Sequence, residues 1–141
     1  IGHVGDSRAY RLRDGKLSQI TQDHSVVGEL LRNQVITPEM AKKHPYRNII
    51  TRAVGIDPVV EVDVLSEDKQ LDDLWLVCSD GLYNMVDDKD IEEILNTLNE
   101  EKAADRLLEL ALERQPTPLP EAEPVVTPPT VAEGSVTAVT H

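Results

Sequence analysis

Leu74-Trp75-Leu76-Val77-Cys78-Ser79-Asp80-Gly81-Leu82 is the stretch from which the fold is read. Its first five residues are apolar without interruption, which predicts a central strand covered on both faces, and Asp80 emerges from the end of that strand. A second aspartate has the same setting near the start, in Gly5-Asp6-Ser7-Arg8-Ala9-Tyr10. A carboxylate at a strand end sits on a backbone held by the ladder, and a neighbouring Gly or Ser leaves room for a hard cation and its waters. For either aspartate alone the ordinary reading is a hydrogen-bonded turn. Only a fold that brings both strand ends together makes them one site.

Outward from these runs, 4–13, Asp14-Gly15 and 16–21 read as a hairpin, because Asp-Gly accepts the two positive φ angles of a type I′ turn. Tyr10 and Leu12 alternate with Arg11 and Arg13, so one face points to a core and the other to solvent or a neighbouring layer. The texture then changes over 25–48. Val26, Val27, Leu30 and Leu31 have helical spacing, and Thr37-Pro38-Glu39 opens a second short helix with Thr as cap and Pro at its first position. His44-Pro45 ends it. Strand character returns over 49–54 and 59–65, where Val60, Val62 and Val64 share a face. Beyond Asp80, acidic residues 87–90 suit the start of a helix carrying Ile91, Ile94, Leu95 and Leu98. A further helix over 102–114 is expected to bury Ala104, Leu107, Leu108, Ala111 and Leu112. Strands, a helical insertion, strands and then consecutive helices predict an α+β fold rather than alternating βαβ units.

The chain has 141 residues and a formal net charge of −12, which repels nucleic acid and anionic membranes. No window approaches the ~20 apolar residues of a membrane span. Cys78 is the only cysteine, so no intrachain disulfide or cysteine zinc cluster can form, and a cytoplasmic setting fits. Residues 1–115 are expected to build the packed part. Six of the nine prolines fall between Pro116 and Pro129, so 116–133 reads as an acidic linker or loop, with a terminal strand within 134–141. Ile1 is not an initiator methionine and 1–4 already reads as a strand, so the chain is taken to begin inside a larger domain.

The sequence resembles the metal-dependent protein serine/threonine phosphatases of the PP2C type (PPM), in their bacterial form. The likeness covers about 4–114. It is carried by Gly5-Asp6-Ser7-Arg8-Ala9-Tyr10, Thr21-Gln22-Asp23-His24-Ser25, His44-Pro45 with Arg47-Asn48, Thr51-Arg52-Ala53-Val54-Gly55 and Cys78-Ser79-Asp80-Gly81-Leu82, in that order. The resemblance implies part of a four-layer αββα sandwich with two catalytic Mn²⁺ or Mg²⁺ ions and a third at one edge. It implies that Asp80 binds one of the catalytic pair, that Asp6 and Asp80 hold the third, and that 25–48, with Ser25, Thr37, His44 and Arg47, is the flap beside the site. Its substrates would be proteins phosphorylated by a Ser/Thr kinase. A phosphomonoester dianion resists attack by water, and paired metals neutralise it and supply the nucleophile.

The family's bridging Asp-Gly pair and phosphate-gripping Arg have no counterpart after Ile1. Its closing Gly-x-Asp-Asn is best matched by Glu133-Gly134-Ser135-Val136-Thr137, with Gly134 in the place of Asp. The 141 residues alone are therefore expected to be inactive and loosely folded. A non-catalytic pseudophosphatase that binds phosphoproteins is the alternative reading. Among other candidates, His24 is read as holding a turn, and Arg8 and Arg52 as pairing with carboxylates rather than phosphate. Cys78 reads as a core residue. His3, His24 and His44 share no metal-ligand spacing.

Overall fold

A computed structural model describes residues 1–116 and the backbone of 136–140. In chain order the elements are β1 (Gly2–His3), β2 (Arg8–Arg13), β3 (Lys16–Gln19), α1 (Val26–Arg32), α2 (Pro38–Lys42), β4 (Asp63–Val64), β5 (Leu74–Cys78), α3 (Asp80–Tyr83), α4 (Asp88–Thr97), α5 (Glu100–Arg114) and β6 (Val136–Thr140). The fold is α+β, with two antiparallel sheets flanked by helices: a four-stranded sheet in the order β3-β2-β5-β6 and a two-stranded sheet of β1 and β4.

The hairpin forms as its turn chemistry dictates. Asp14 (φ 52°) and Gly15 (φ 75°) both take positive φ, and Arg13 pairs with Lys16 across the turn. Alternation then sorts the side chains of β2 and β5. Tyr10, Leu12, Leu74, Leu76 and Cys78 face the helices and pack with Leu82, Val86, Ile91, Leu95, Ala103, Leu107 and Ala111 in one apolar cluster. Burying each Leu, Ile or Val of this cluster is worth about 1.5–3 kcal/mol, which makes this face the main source of cohesion. Tyr10 keeps its hydroxyl satisfied inside the cluster, accepting from Arg8 (2.9 Å) and donating to Asp88 at the start of α4 (3.1 Å).

The other face of β5 differs from expectation. Trp75 is half-buried and Val77 is 48% exposed, so the strand is central in its sheet but well covered on one face only. An uninterrupted apolar run reports a strand that suits cover on both sides; whether the cover is present depends on other segments. The two strands expected over 49–54 and 59–65 shrink for the same reason. Residue 50 makes one isolated bridge with Ser25, and only Asp63 and Val64 pair, with His3 and Gly2. A ladder extends only as far as its partner, and β1 offers two residues. Val59, Val62 and Val64 remain exposed.

Both helices of the 25–48 insertion start at their caps. The Ser25 side chain accepts from the Gly28 N–H and that of Thr37 from the Met40 N–H, with Pro38 in the first turn. Gly28 is required by close approach, since a Cβ there would lie 2.5 Å from the Asp23 carbonyl oxygen. In α5 the buried stripe is Ala103, Leu107 and Ala111, while Leu108 and Leu112 are exposed, so the helix is rotated by about one position from the expected register. Leu98, expected on the buried face of α4, caps its C-terminus and is exposed. Among the described residues no helix is long and apolar enough to cross a membrane.

Candidate functional site

The site begins where the β2–β5 ladder ends. Arg8 pairs with Cys78 and Ala9 with Val77. Just beyond that last pair, Asp6 lies on the approach to β2 and Asp80 is the first residue of α3, near enough for the Asp80 charge to act on Asp6. Both carboxylates are half-buried, and among the described residues no lysine, arginine or histidine pairs with either. Burial, then the Asp80 and Asp23 carboxylates, push the Asp6 carboxyl above its ordinary value. Half-buried carboxylates of like charge with no organic counter-ion are a donor set that fits a hard divalent cation.

The nearby arginine is already committed. Arg8 forms a bidentate ion pair with Asp23, at 2.6 Å for its shortest contact, and its guanidinium lies 3.6 Å over the Tyr83 ring. Burial opposes the Arg8 charge, but Asp23 and Tyr10 more than offset it and hold the group protonated. Arg52 likewise pairs with Asp63 at 3.0 Å. Both arginines therefore serve carboxylates of their own chain, as the sequence predicts. Cys78 is 1% exposed, and burial raises its thiol to about 12, which removes it as a nucleophile at neutral pH.

Asp6 belongs to no strand, so hydrogen bonds from the backbone and side chains of other segments replace the missing ladder bonds. The Gly5 carbonyl accepts from the His24 backbone N–H (2.8 Å), the Asp6 carbonyl from the Tyr83 hydroxyl (2.6 Å), and the Ser7 carbonyl from His3 Nε2 (2.7 Å). His24 holds its turn, as read from the sequence, and also accepts the Gly5 N–H on Nδ1 (3.0 Å). Its Nε2 lies 2.7 Å from Asp63 Oδ2.

His3, His24 and Asp63 offer ligand atoms within 4.8 Å of one another, with the two rings 4.7 Å apart. The linear spacing of the histidines gives no hint of this cluster. It arises because β1–β4 pairing sets His3 opposite Asp63, while the turn after the hairpin delivers His24. Its chemistry is that of a hydrogen-bonded pillar. The His24 lone pair is spent on the Gly5 N–H, which leaves the proton on Nε2 facing Asp63, and the Arg52 guanidinium supplies the positive charge. The His24 contact, then Arg52, hold Asp63 below its ordinary value.

The residues expected in a flap have local roles: Ser25 and Thr37 cap helices, His44 Nδ1 accepts from the Tyr46 N–H (3.1 Å), and Arg47 donates to the His44 carbonyl. Glu133, Gly134 and Ser135 lie outside the described residues.

No family model matches the chain. Relatives do. The serine/threonine phosphatase Stp of Listeria monocytogenes is 50% identical over 97 residues, covering 69% of this chain and 38% of Stp. The serine/threonine protein phosphatase PstP of Mycobacterium tuberculosis is 44% identical over 110 residues, covering 78% of this chain and 21% of PstP. The crystal structure of the PPM Ser-Thr phosphatase MsPP of Mycobacterium smegmatis superposes with a TM-score of 0.74 at 41% identity, over 80% of this chain and 49% of MsPP. The chain belongs to the bacterial PPM (PP2C-type) protein serine/threonine phosphatase family. It spans well under half the length of the Stp and PstP relatives it matches. The catalytic domain of PstP has been solved in complex with two manganese ions, and it superposes on this PPM chain with a TM-score of 0.67 at 38% identity.

Proposed function

We propose that the protein is a Mn²⁺- or Mg²⁺-dependent phosphatase that removes phosphate from phosphoserine and phosphothreonine in proteins, with Asp80 as a ligand of the catalytic metal pair and Asp6, together with Asp80, as ligand of a third ion. The observation that carries this reading is that Asp6 and Asp80 lie just beyond the end of one antiparallel ladder, half-buried, near enough for the Asp80 charge to act on Asp6, and without a cationic partner among the described residues. The metals supply charge neutralisation of the phosphate dianion and activation of the attacking water. Asp80, the first residue of α3, has its backbone placed between β5 and the buried Leu82. Asp6 is set by hydrogen bonds to its own and its preceding peptide, and no cationic side chain pairs with its carboxylate among the described residues.

The substrates in this reading are phosphoproteins made by Ser/Thr kinases in the cytoplasm, with no nucleic acid or membrane involved, consistent with the net charge of −12. Segment 25–48 is the flap beside the site. The family's bridging Asp-Gly pair and phosphate-gripping Arg have no counterpart in these 141 residues, so the chain tested by itself is expected to show no turnover.

In the full-length protein, Asp80→Asn is expected to abolish Mn²⁺-dependent hydrolysis of an aryl phosphate and of a phosphothreonine peptide. Asp6→Asn is expected to reduce activity and raise the Mn²⁺ concentration at half-maximal rate. Wild-type turnover by Asp80→Asn would sink the assignment. Gly134, standing where the family places an Asp, favours a second reading as a non-catalytic phosphoprotein-binding relative, and absence of aryl-phosphate hydrolysis by the intact protein with Mn²⁺ would decide for it.

A further inference from the structure

His24 is 2% exposed and every polar group it carries has a partner. Its backbone N–H donates to the Gly5 carbonyl (2.8 Å), its carbonyl accepts from the Thr51 N–H (2.8 Å), Nδ1 accepts from the Gly5 N–H (3.0 Å), and Nε2 donates to Asp63 (2.7 Å). Both polar groups of Gly5 are thus closed on one residue. Gly5 precedes Asp6 directly, and the Asp6 carbonyl is held from the other side by Tyr83. A segment outside the strand ladder has no neighbouring chain to fix its φ and ψ, so these side-chain bonds decide where the Asp6 carboxylate points.

We propose that His24 is a positioning residue for Asp6: through the Gly5 peptide it sets the affinity of the ion that Asp6 holds, without touching the metal, the substrate or the Asp6 side chain. The inference rests on the proposed role of Asp6 as a ligand of the third, weaker ion. It differs from a general packing role in one respect. A buried histidine that merely supported the fold would affect all ions alike when lost, whereas a clasp on Gly5 acts on the Asp6 position and spares the pair centred on Asp80, which is carried by β5 and α3.

The two nitrogens allow a clean separation. Asparagine places its amide oxygen near the position of Nδ1 and can still accept the Gly5 N–H; glutamine reaches the position of Nε2 and can still donate to Asp63, but leaves the Gly5 N–H without its acceptor. Mn²⁺ alone is titrated into the full-length protein, following the electron paramagnetic resonance signal of free Mn²⁺, with circular dichroism as a check on folding. His24→Gln is expected to raise the dissociation constant of the weakest Mn²⁺ class about tenfold, the scale of losses on removing an outer-shell support, and to leave the tight class unchanged. His24→Asn is expected to stay close to wild type. Tyr83→Phe, which removes the bond to the Asp6 carbonyl, should move the same class in the same direction.

Equal weakening of all classes in His24→Gln, or none, overturns the proposal, as does a His24→Asn protein as impaired as His24→Gln. Asp6→Asn separates the two levels of inference: retention of the weak class there defeats the metal reading of Asp6 and this proposal with it, whereas its loss combined with wild-type binding in His24→Gln defeats the proposal alone.

Discussion

The two faces of β5 make the instructive comparison. On one, Leu76 and Cys78 are closed off by α3, α4 and α5 and belong to a single apolar cluster; on the other, Trp75 is half-buried and Val77 is open. The same five residues built both faces. What differs is the cover present among the described residues: α3, α4 and α5 close one face, whereas the β1–β4 sheet has two residues in each strand. Val59 and Val64, although apolar, therefore stand at the surface. Apolar character states a preference for burial, and neighbouring segments decide whether it is met.

Substitutions can break or sharpen that contrast. The largest effect is expected on the helix side: Leu76→Ala and Leu107→Ala should each cost about 2–5 kcal/mol in urea denaturation, because both side chains are fully buried and leave cavities. Val59→Ala and Val64→Ala should change stability by no more than about 0.5 kcal/mol. Valine losses as large as the leucine losses would show that the open face is covered in solution. Next comes Gly28→Ala, which forces a Cβ against the Asp23 carbonyl and is expected to cost about 1–3 kcal/mol; an unchanged denaturation midpoint would show that the turn carrying His24 is not rigid.

The smallest effect is electrostatic and lies at the start of β5. The Arg13 guanidinium, bonded at 2.7 Å, holds the buried Asp73 carboxyl down to about 2. A depressed folded-state value contributes stability that is fully present above the ordinary carboxylate value of 3.8 and is lost as pH falls through about 2. Acid unfolding followed by circular dichroism should therefore be shallower between about pH 4 and about pH 2 in Asp73→Asn than in the wild type. Identical acid limbs would mean that the Arg13–Asp73 pair adds nothing beyond its local bond.

Much of this was legible in the residues. Asp14-Gly15 specified its turn, Ser25 and Thr37 marked helix starts, and the alternation of Tyr10 and Leu12 with Arg11 and Arg13 chose the buried face of β2. The misreadings have a common cause. Strand-like texture over 49–65 overstated the sheet, since pairing needs a partner that texture does not contain. The stripe of α5 differs from the expected one because Ala103 and Ala104 are equally apolar, and only packing of the helix against the cluster of β2, β5 and α4 side chains selects between them. Asp6 and Asp80 were visible as strand-end aspartates, but His3, His24 and Asp63 carried no signal in their spacing.

The sequence by itself determined what is local: turns, caps, periodicity and the chemical kind of each side chain, because these depend on residues within a few positions of one another. Tertiary structure decided that Asp6 lies near Asp80 and that His24 closes on Gly5, because strand register and hydrogen bonds between distant segments exist only once two parts of the chain have met.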